Sequence, residues 1–179
     1  RRETLEQIGE LLGITRERVR QLEKAILIKL KIATEGGKIE SVNNLEKIII
    51  RQLTDMGRVA RVQDLTDQLV GNTSDQRQRA HVAFIAELAP NLTVVDENDN
   101  YFHSVGIREY GDDKKIRGEV DEIITVIKKH GEPLTIEEIH SKLSYDHPNY
   151  VRALASVSKL LAHLKDSWGL VKWPTVNPK

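Results

Sequence analysis

Five polar side chains near the amino terminus have the types and spacing needed to read DNA bases. They are Arg16, Glu17, Arg18, Arg20 and Gln21. Arginine can form two hydrogen bonds with guanine, glutamate can accept one from cytosine, and glutamine can pair with adenine. Additional arginines and the amino terminus of a helix neutralise phosphates. If one helix carries all five side chains, they form a surface suited to the major groove.

Two short helices are predicted to position these side chains. The first begins at Thr4, which can cap it, and ends at Gly13; its apolar face consists of Leu5, Ile8, Leu11 and Leu12. Thr15 caps the second helix, whose inward side chains are Val19, Leu22 and Ile26. Two helices joined by a glycine-containing turn, the second polar at its start, are typical of a helix-turn-helix. The alternative is an amphipathic helix with a solvated charged face.

Residues 4–23 read Thr-Leu-Glu-Gln-Ile-Gly-Glu-Leu-Leu-Gly-Ile-Thr-Arg-Glu-Arg-Val-Arg-Gln-Leu-Glu. This string resembles region 4.2 of the sigma-70 family of bacterial RNA polymerase sigma factors, and the match runs without a gap through residue 30. The resemblance covers about a sixth of the chain. It implies that Thr4 lies near a phosphate and that the recognition helix contacts the minus-35 element of a promoter.

The resemblance also assigns roles within the recognition helix. It implies that Arg16, Glu17 and Gln21 reach bases, whereas Arg18 and Arg20 make backbone contacts and local ion pairs. The complete set of expected DNA-binding residues is Thr4, Thr15, Arg16, Glu17, Arg18, Arg20, Gln21 and Lys24.

The chain departs from the sigma pattern at two positions of this helix. Ala25 and Ile28 stand where the family usually has basic residues, which weakens contacts to DNA or activators. Ile26, Ile28 and Ile32 make the helix apolar on more than one side. Its carboxyl-terminal half is therefore expected to pack on the following domain or on another protein. Regions 4.1 and 2 of a sigma factor do not precede the motif, so we expect either a fragment of a longer protein or one that cannot act as a sigma factor unaided.

The formal net charge of the 179 residues is zero, but the charge is unevenly distributed. It is +3 for residues 1–31, −1 for 32–43, −3 for 44–105, zero for 106–115 and +1 for 116–179. Because phosphate binding needs a basic surface, DNA contact is expected from about the first thirty residues. The acidic stretch favours contacts with protein.

Two later stretches share one pattern. Each opens with an amphipathic stripe, Leu45-Ile48-Ile49-Leu53 in the first and Val120-Ile123-Ile124-Ile127 in the second. Each stripe stops at a glycine, Gly57 or Gly131, 74 residues apart. Short helices are predicted over 62–69 and 136–143, the second with a Thr135/Glu138 capping box. Third helices are predicted over 75–88 and about 149–164.

Alternating residues then predict a hairpin in each copy. Residues 92–105 alternate around a polar centre, Asp96 to Asn100, and a shorter equivalent is expected around 167–173. Three helices followed by a hairpin is the order of a winged helix; a generic helical repeat would not explain the hairpin. The predicted fold class is therefore mainly α with small β-hairpin wings.

The predicted domain organisation has three folded parts. They are a helix-turn-helix over 1–34, a winged helix over 44–105 and a second winged helix over 116–179, joined by linkers over 35–43 and 106–115.

The second copy ends in Ser167-Trp-Gly-Leu-Val-Lys-Trp173, and residues 131–139 read Gly-Glu-Pro-Leu-Thr-Ile-Glu-Glu-Ile. Residues 116–174 resemble the HARE-HTH module, which is also the folded domain of the delta subunit of bacterial RNA polymerase. The resemblance implies association with the transcription machinery or chromatin, through DNA or protein. Trp168 and Trp173 are interpreted as packing residues. In the first copy, the third helix carries Gln76, Arg77, Gln78 and Arg79. These residues leave a local DNA contact open, although protein docking is favoured.

The sequence offers no recognisable catalytic or cofactor site. It contains no cysteine, which excludes disulfides, thiolate metal sites and a cysteine nucleophile. The six histidines form no His-x-x-x-His pair, and no Gly-x-Ser-x-Gly elbow occurs. Gly36-Gly37-Lys38 lacks the remainder of a phosphate loop and is interpreted as a linker. We therefore expect no enzyme, no metal and no cofactor; a hydrolase using histidine and aspartate is the least supported class.

These observations predict a sigma-factor-like protein of transcription initiation or regulation. Its helix-turn-helix would read a minus-35-like promoter element, or bind the flap region of the core of bacterial RNA polymerase, or both. Its winged helices would dock on RNA polymerase or on a regulator. Neither a membrane nor a small-molecule substrate is expected, and the predicted location is the cytoplasm, in association with the nucleoid. The alternative is an interaction module in which the sigma-like helix packs on the winged helices and does not read DNA.

Overall fold

Residues 40–176 are described by the structure, a computed structural model, and all statements on structure concern these residues. They are about 55% helical with small antiparallel hairpins, which confirms the predicted fold class at this level. None of the described helices is long and apolar enough to cross a membrane.

The first unit is formed by residues 40–107. Its elements are α1 (Glu40–Met56), β1 (Val59–Arg61), α2 (Val62–Val70), α3 (Gln76–Leu88), β2 (Leu92–Val95) and β3 (Ser104–Ile107). The three strands form one antiparallel sheet in the order β1-β3-β2. The hairpin predicted over 92–105 is confirmed, with strands on either side of its polar centre.

The inward face of α1 differs from the predicted stripe. Val42, Glu46, Ile49 and Leu53 are buried, and they recur every three or four residues on one side of the helix. Leu45 and Ile48, both expected inside, are 38% and 51% exposed. The difference arises because Glu46, an acidic residue, belongs to the buried row of α1. The carboxylate of Glu46 accepts hydrogen bonds from the backbone N–H of Asn91 at 2.9 Å and from its side-chain amide at 2.8 Å. These bonds satisfy the buried charge.

The second unit is formed by residues 113–176. After a 3₁₀ turn at Arg108–Tyr110 come α4 (Asp113–His130), α5 (Ile136–Ser141), α6 (Pro148–Val157), β4 (Leu161–His163) and β5 (Trp168–Leu170). The predicted capping box is confirmed: Thr135 Oγ1 accepts from the Glu138 N–H, and Glu138 Oε1 accepts from the Thr135 N–H, each at 3.1 Å. Strands β4 and β5 pair antiparallel.

The third helix of this unit is shorter than predicted. It ends at Val157 rather than near Leu164, and residues 161–163 form β4 instead. The second hairpin therefore begins before the predicted 167–173 stretch, which contains only its second strand. Ser158 is extended and forms an isolated β-bridge with Tyr101 of the first unit. Pairing with the other unit thus ends the helix.

Both units repeat one local arrangement after their first helix. Gly57 follows α1 with a φ of 97°, and Gly131 follows α4 with a φ of 87°. These are left-handed conformations that glycine adopts without strain. Ala60 pairs with Val105 in the first unit, and Leu134, 74 residues after Ala60, forms a β-bridge with Trp168 in the second. The 74-residue spacing is thus shared by the glycine stops and by the paired residues that follow them, Ala60 and Leu134.

The two units pack against each other through a shared apolar cluster. Val59, Val95 and Tyr101 of the first unit are buried in the same cluster as the inward residues of α4 and α6. The expected linker over 106–115 contains the end of β3, the 3₁₀ turn and the start of α4. Residues 40–176, called the tandem body below, are thus continuously packed across this stretch. The proposed division into domains at 105 and 116 stays a prediction.

The two repeated glycines provide a test of this packing. A Cβ at position 57 would lie 2.6 Å from the Asn149 carbonyl oxygen and 2.9 Å from the Ala153 Cβ, whereas a Cβ at position 131 would meet nothing within 4 Å. We expect Gly131→Ala to cost about 1–2 kcal/mol from the left-handed backbone alone. Gly57→Ala should cost roughly 1–3 kcal/mol more because it overpacks the contact between units.

Urea unfolding of the two variants measures this difference. Gly71→Ala serves as a second control, since Gly71 has a φ of 81° and an open surrounding within the first unit. Equal losses for all three variants would show that the two units do not pack at Gly57.

Candidate nucleic-acid interface

The residues predicted to read DNA lie outside the part of the chain that the structure describes. They are Thr4, Thr15, Arg16, Glu17, Arg18, Arg20, Gln21 and Lys24. Their proposed roles therefore stay predictions. The tandem body contains two further candidates, since a winged helix would present its third helix and its hairpin to DNA. These candidates are α3 with the β2–β3 hairpin, and α6 with the β4–β5 hairpin.

Helix α6 is covered by the first unit. Most of its side chains are buried, among them Val151, Leu154 and Val157. Arg61 of β1 donates from Nε to the Ser156 carbonyl oxygen, and the Met56 carbonyl oxygen accepts from Arg152 at 3.4 Å. The first unit therefore occupies one side of α6, whereas Pro148, Asn149 and Arg152 at the start of the helix also line an open groove with the second hairpin.

The β2–β3 hairpin is held in the same junction. The N–H of Phe102 donates to the Val157 carbonyl oxygen, and the N–H of Lys159 donates to the Asn100 carbonyl oxygen, both at 2.8 Å. The centre of the Phe102 ring lies 3.9 Å from the Arg61 guanidinium carbon and 5.5 Å from Lys159 Nζ, within the range of cation–π contacts. This hairpin joins the two units and is not free to contact a minor groove.

Helix α3 remains accessible, but half of its polar start has a structural role. Asp75 and Gln78 form a capping box with bonds of 2.8 and 2.9 Å. Arg79 Nε donates to Ser74 Oγ at 2.9 Å, and Ser74 in turn donates to Asp67 from its hydroxyl and its N–H. Those two bonds lower the pKa of Asp67. Gln78 and Arg79 thus hold the start of α3. The other two residues of the Gln76-to-Arg79 run, Gln76 and Arg77, are exposed.

An apolar side chain on α3 was missed in the sequence. Phe84 is 47% exposed and borders a cavity of about 360 Å³ with Val62, Ala80, Ala83 and His103. Its position seven residues after Arg77 places it on the outward side of the helix, which is the signal that could have identified it. An exposed aromatic ring in an acidic unit is better suited to a protein contact than to a phosphate backbone.

Arg58 organises a polar cluster at the junction between the units. Its guanidinium carbon lies 4.0 Å from the centre of the Tyr110 ring and 5.7 Å from that of Tyr150, and it pairs with Asp146 at 3.3 Å. The hydroxyl of Tyr150 donates to Glu119 at 2.7 Å. Burial, and then the bonded carboxylate, raises the pKa of Tyr150, and burial also raises that of Glu119.

This cluster lines a cavity of about 280 Å³ that also includes Tyr145. The hydroxyl of Tyr145 donates to Glu122 at 2.7 Å, and burial followed by this bond raises its pKa. Arg58, Glu119 and the hydroxyls of Tyr145 and Tyr150 thus have partners within the protein. The cluster connects the units.

The two tryptophans pack as expected. Trp168 is buried in the cluster of the second unit, and its ring stacks on His163 with a centroid distance of 4.4 Å. Trp173 packs partly buried against the same cluster. Within residues 40–176, no three His, Asp or Glu side chains are grouped closely enough to hold a metal ion.

A comparison with protein families matches residues 1–31 to sigma-70, region 4. No curated protein matches the chain. No solved structure matches it either. Sigma-70 region 4 is a DNA-binding domain of transcription and not an enzyme, so the match indicates a DNA-binding, transcription-related role.

The hydrogen bond of Tyr101 at the junction predicts a pH dependence. Burial, together with the bond from its hydroxyl to Asp121 at 2.7 Å, raises the pKa of Tyr101 from 10.0 to about 12. The folded state holds this proton more tightly than the unfolded state does. Its contribution to the free energy of unfolding is therefore complete below pH 10 and is lost as the pH rises to about 12.

Tyr101→Phe should lower the free energy of unfolding by about 1 kcal/mol at neutral pH. It should also make the alkaline loss of stability shallower, as measured by urea unfolding between pH 8.5 and 11.5. Identical slopes in the variant and the original protein would contradict this assignment. Asp121→Asn, which keeps an oxygen acceptor but removes the charge, should give an intermediate slope.

Proposed function

We propose that the chain is a sigma-factor-like protein of transcription initiation or regulation. In this proposal it is located in the cytoplasm, in association with the nucleoid. The match of residues 1–31 to sigma-70 region 4 carries the proposal. In it, Arg16, Glu17 and Gln21 read a minus-35-like element in the major groove, and neighbouring arginines contact phosphates. The basic balance of this segment, +3, supports phosphate contact.

In the same proposal, the tandem body consists of two winged helices that dock on protein. The engagement of one side of α6 and of the first hairpin in the junction supports this assignment, because those surfaces are then unavailable to DNA. The partner proposed for the body is bacterial RNA polymerase or a regulator, and the flap of the polymerase core is proposed as a partner of the sigma-like segment, beside DNA. Exposed apolar side chains on the body, such as Phe84 and Ile48, are suited to a protein interface.

A second candidate function is an interaction module in which the sigma-like helix does not read DNA. The exposed Leu45 and Ile48 on α1 favour it, since α1 follows the segment that contains Ile26, Ile28 and Ile32. Packing of these apolar faces on each other would hold the helix against the body. The two candidates differ in whether the chain distinguishes one DNA sequence from another.

Titration of labelled duplexes with and without a minus-35-like sequence tests base reading. We expect the chain to prefer the minus-35-like duplex, and Arg16→Ala or Gln21→Ala should each cost about 1–3 kcal/mol of binding and relax this preference. The loss has a direct cause, because each variant removes hydrogen bonds to base edges.

Arg77→Ala on α3 is the matched control for these substitutions. It removes one exposed arginine from the acidic unit and should leave the preference between duplexes unchanged. Equal, weak and salt-sensitive binding to both duplexes would favour the interaction module. A loss of preference in Arg77→Ala would assign base reading to the tandem body instead.

Retention of core RNA polymerase on the immobilised chain tests the docking role separately. We expect retention by the original chain and by the Arg16→Ala/Gln21→Ala variant alike, because docking is assigned to the tandem body. Failure of the original chain to retain polymerase would contradict docking on the core enzyme. Loss of retention only in the double variant would place the polymerase contact on the sigma-like segment.

A further inference from the structure

An apolar groove lies on the second unit between α4 and the β4–β5 hairpin. Its volume is about 400 Å³, and its apolar lining consists of Ile124, Leu160, Leu170 and Val171. Leu170 is buried and forms part of the floor, whereas Leu160 and Val171 are 41% and 37% exposed. The Val171 N–H donates to the Leu160 carbonyl oxygen at 3.0 Å, so the two exposed side chains belong to paired stretches of backbone.

Three lysines line the same groove: Lys128, Lys159 and Lys172. Lys159 forms a long ion pair of 3.8 Å with Glu97 of the first hairpin. Lys128 and Lys172 are exposed and form no ion pair with any of residues 40–176. The groove therefore combines an apolar floor with uncompensated positive charge at its rim.

One carboxylate lies on the face of α4 that contributes Ile124 and Lys128 to the groove. Asp121 precedes Ile124 by three residues and Lys128 by seven, which places it on the same helix face. Its Oδ1 is engaged, since it accepts the hydrogen bond from Tyr101 at 2.7 Å. Asp121 does not line the groove, whose charged lining residues are the three lysines.

We propose that this groove binds an acidic amphipathic helix of a partner protein, with aliphatic side chains on the floor and carboxylates at the lysine rim. Insertion of an amphipathic helix into an apolar groove is a common mode of peptide recognition. Charge complementarity selects the partner, because a basic helix would place like charges at Lys128 and Lys172. The inference rests on the proposed function, in which the tandem body docks on protein, and it specifies one docking surface and the chemistry of its partner.

The composition of the groove argues against nucleic acid as its occupant. Phosphates are bound by lysines and arginines together with polar donors, and the floor here offers aliphatic carbon instead. Bases would need aromatic side chains to stack on, whereas Ile124, Leu160, Leu170 and Val171 provide none. Aliphatic side chains of a protein segment match this surface better.

Methyl NMR of the complete chain, with a peptide probe, tests the proposal. The probe is a helical peptide of roughly 16 residues with leucines on one face and glutamates on the other, long enough to be partly helical in water. Its matched partner carries lysine at every glutamate position. We expect the acidic peptide to shift the methyl signals of Ile124, Leu160 and Val171, with an affinity that decreases as salt is added.

Charge reversal provides the specific variant. Lys128→Glu/Lys172→Glu should weaken binding of the acidic peptide about fivefold or more and strengthen binding of the lysine peptide. Lys47→Glu/Arg51→Glu on α1 changes the net charge by the same amount at exposed positions that do not line the groove. This control should bind the acidic peptide with nearly unchanged affinity.

Several results would overturn the proposal. They are equal binding of both peptides, methyl shifts confined to other residues, no binding of the acidic peptide up to about 1 mM, or no effect of Lys128→Glu/Lys172→Glu. A dimer in sedimentation that this variant dissociates would identify a second copy of the chain as the occupant and would overturn it as well. Retention of core polymerase by the same protein preparations tests the proposed function separately from this inference. Retention without peptide binding contradicts only this inference, and peptide binding without retention contradicts the polymerase docking in the proposed function.

Discussion

The close approach of α6 to the first unit is the constraint on which the arrangement of residues 40–176 depends. Gly57 allows it, because Asn149 and Ala153 occupy the space where a Cβ would stand. Arg61, Phe102 and the bridge at Ser158 then fix the carboxyl-terminal half of the helix. One side of α6 and the β2–β3 hairpin are thereby committed to internal contacts. The junction both stabilises the body and determines which of its surfaces are open.

Local features of the fold could be predicted from the sequence, because short-range physics sets them. The capping box at Thr135 and the glycine stops depend on residues a few positions apart, and the 92–105 hairpin depends on residues no more than about fifteen apart. The predictions were wrong where contacts between residues distant in sequence determine the structure. Glu46 turned the face of α1 toward Asn91, and pairing with Tyr101 ended α6 early. Asn91 and Tyr101 are too distant in sequence from Glu46 and Ser158 to influence the hydrophobic pattern from which the helices were predicted.

The candidate site was likewise predicted only in part from the sequence. The sigma-like residues were found by a motif, which the family match at residues 1–31 supports, while their geometry lies outside the described part. On α3, the run Gln76 to Arg79 suggested a DNA contact, yet Gln78 and Arg79 hold the start of the helix. Composition alone cannot separate a capping residue from a binding residue. The lysine-rimmed groove could not be predicted either, since it combines α4 with a hairpin more than thirty residues away.

The junction also limits how such units can be arrayed. It uses the hairpin of the preceding unit, whose eight residues between β2 and β3 reach across to the third helix of the following unit. In the second unit, β4 and β5 are separated by only four residues. A further copy placed after it could not be coupled through an equivalent hairpin. The coupling is therefore directional, unlike that in a solenoid, in which each repeat offers the next one the same surface.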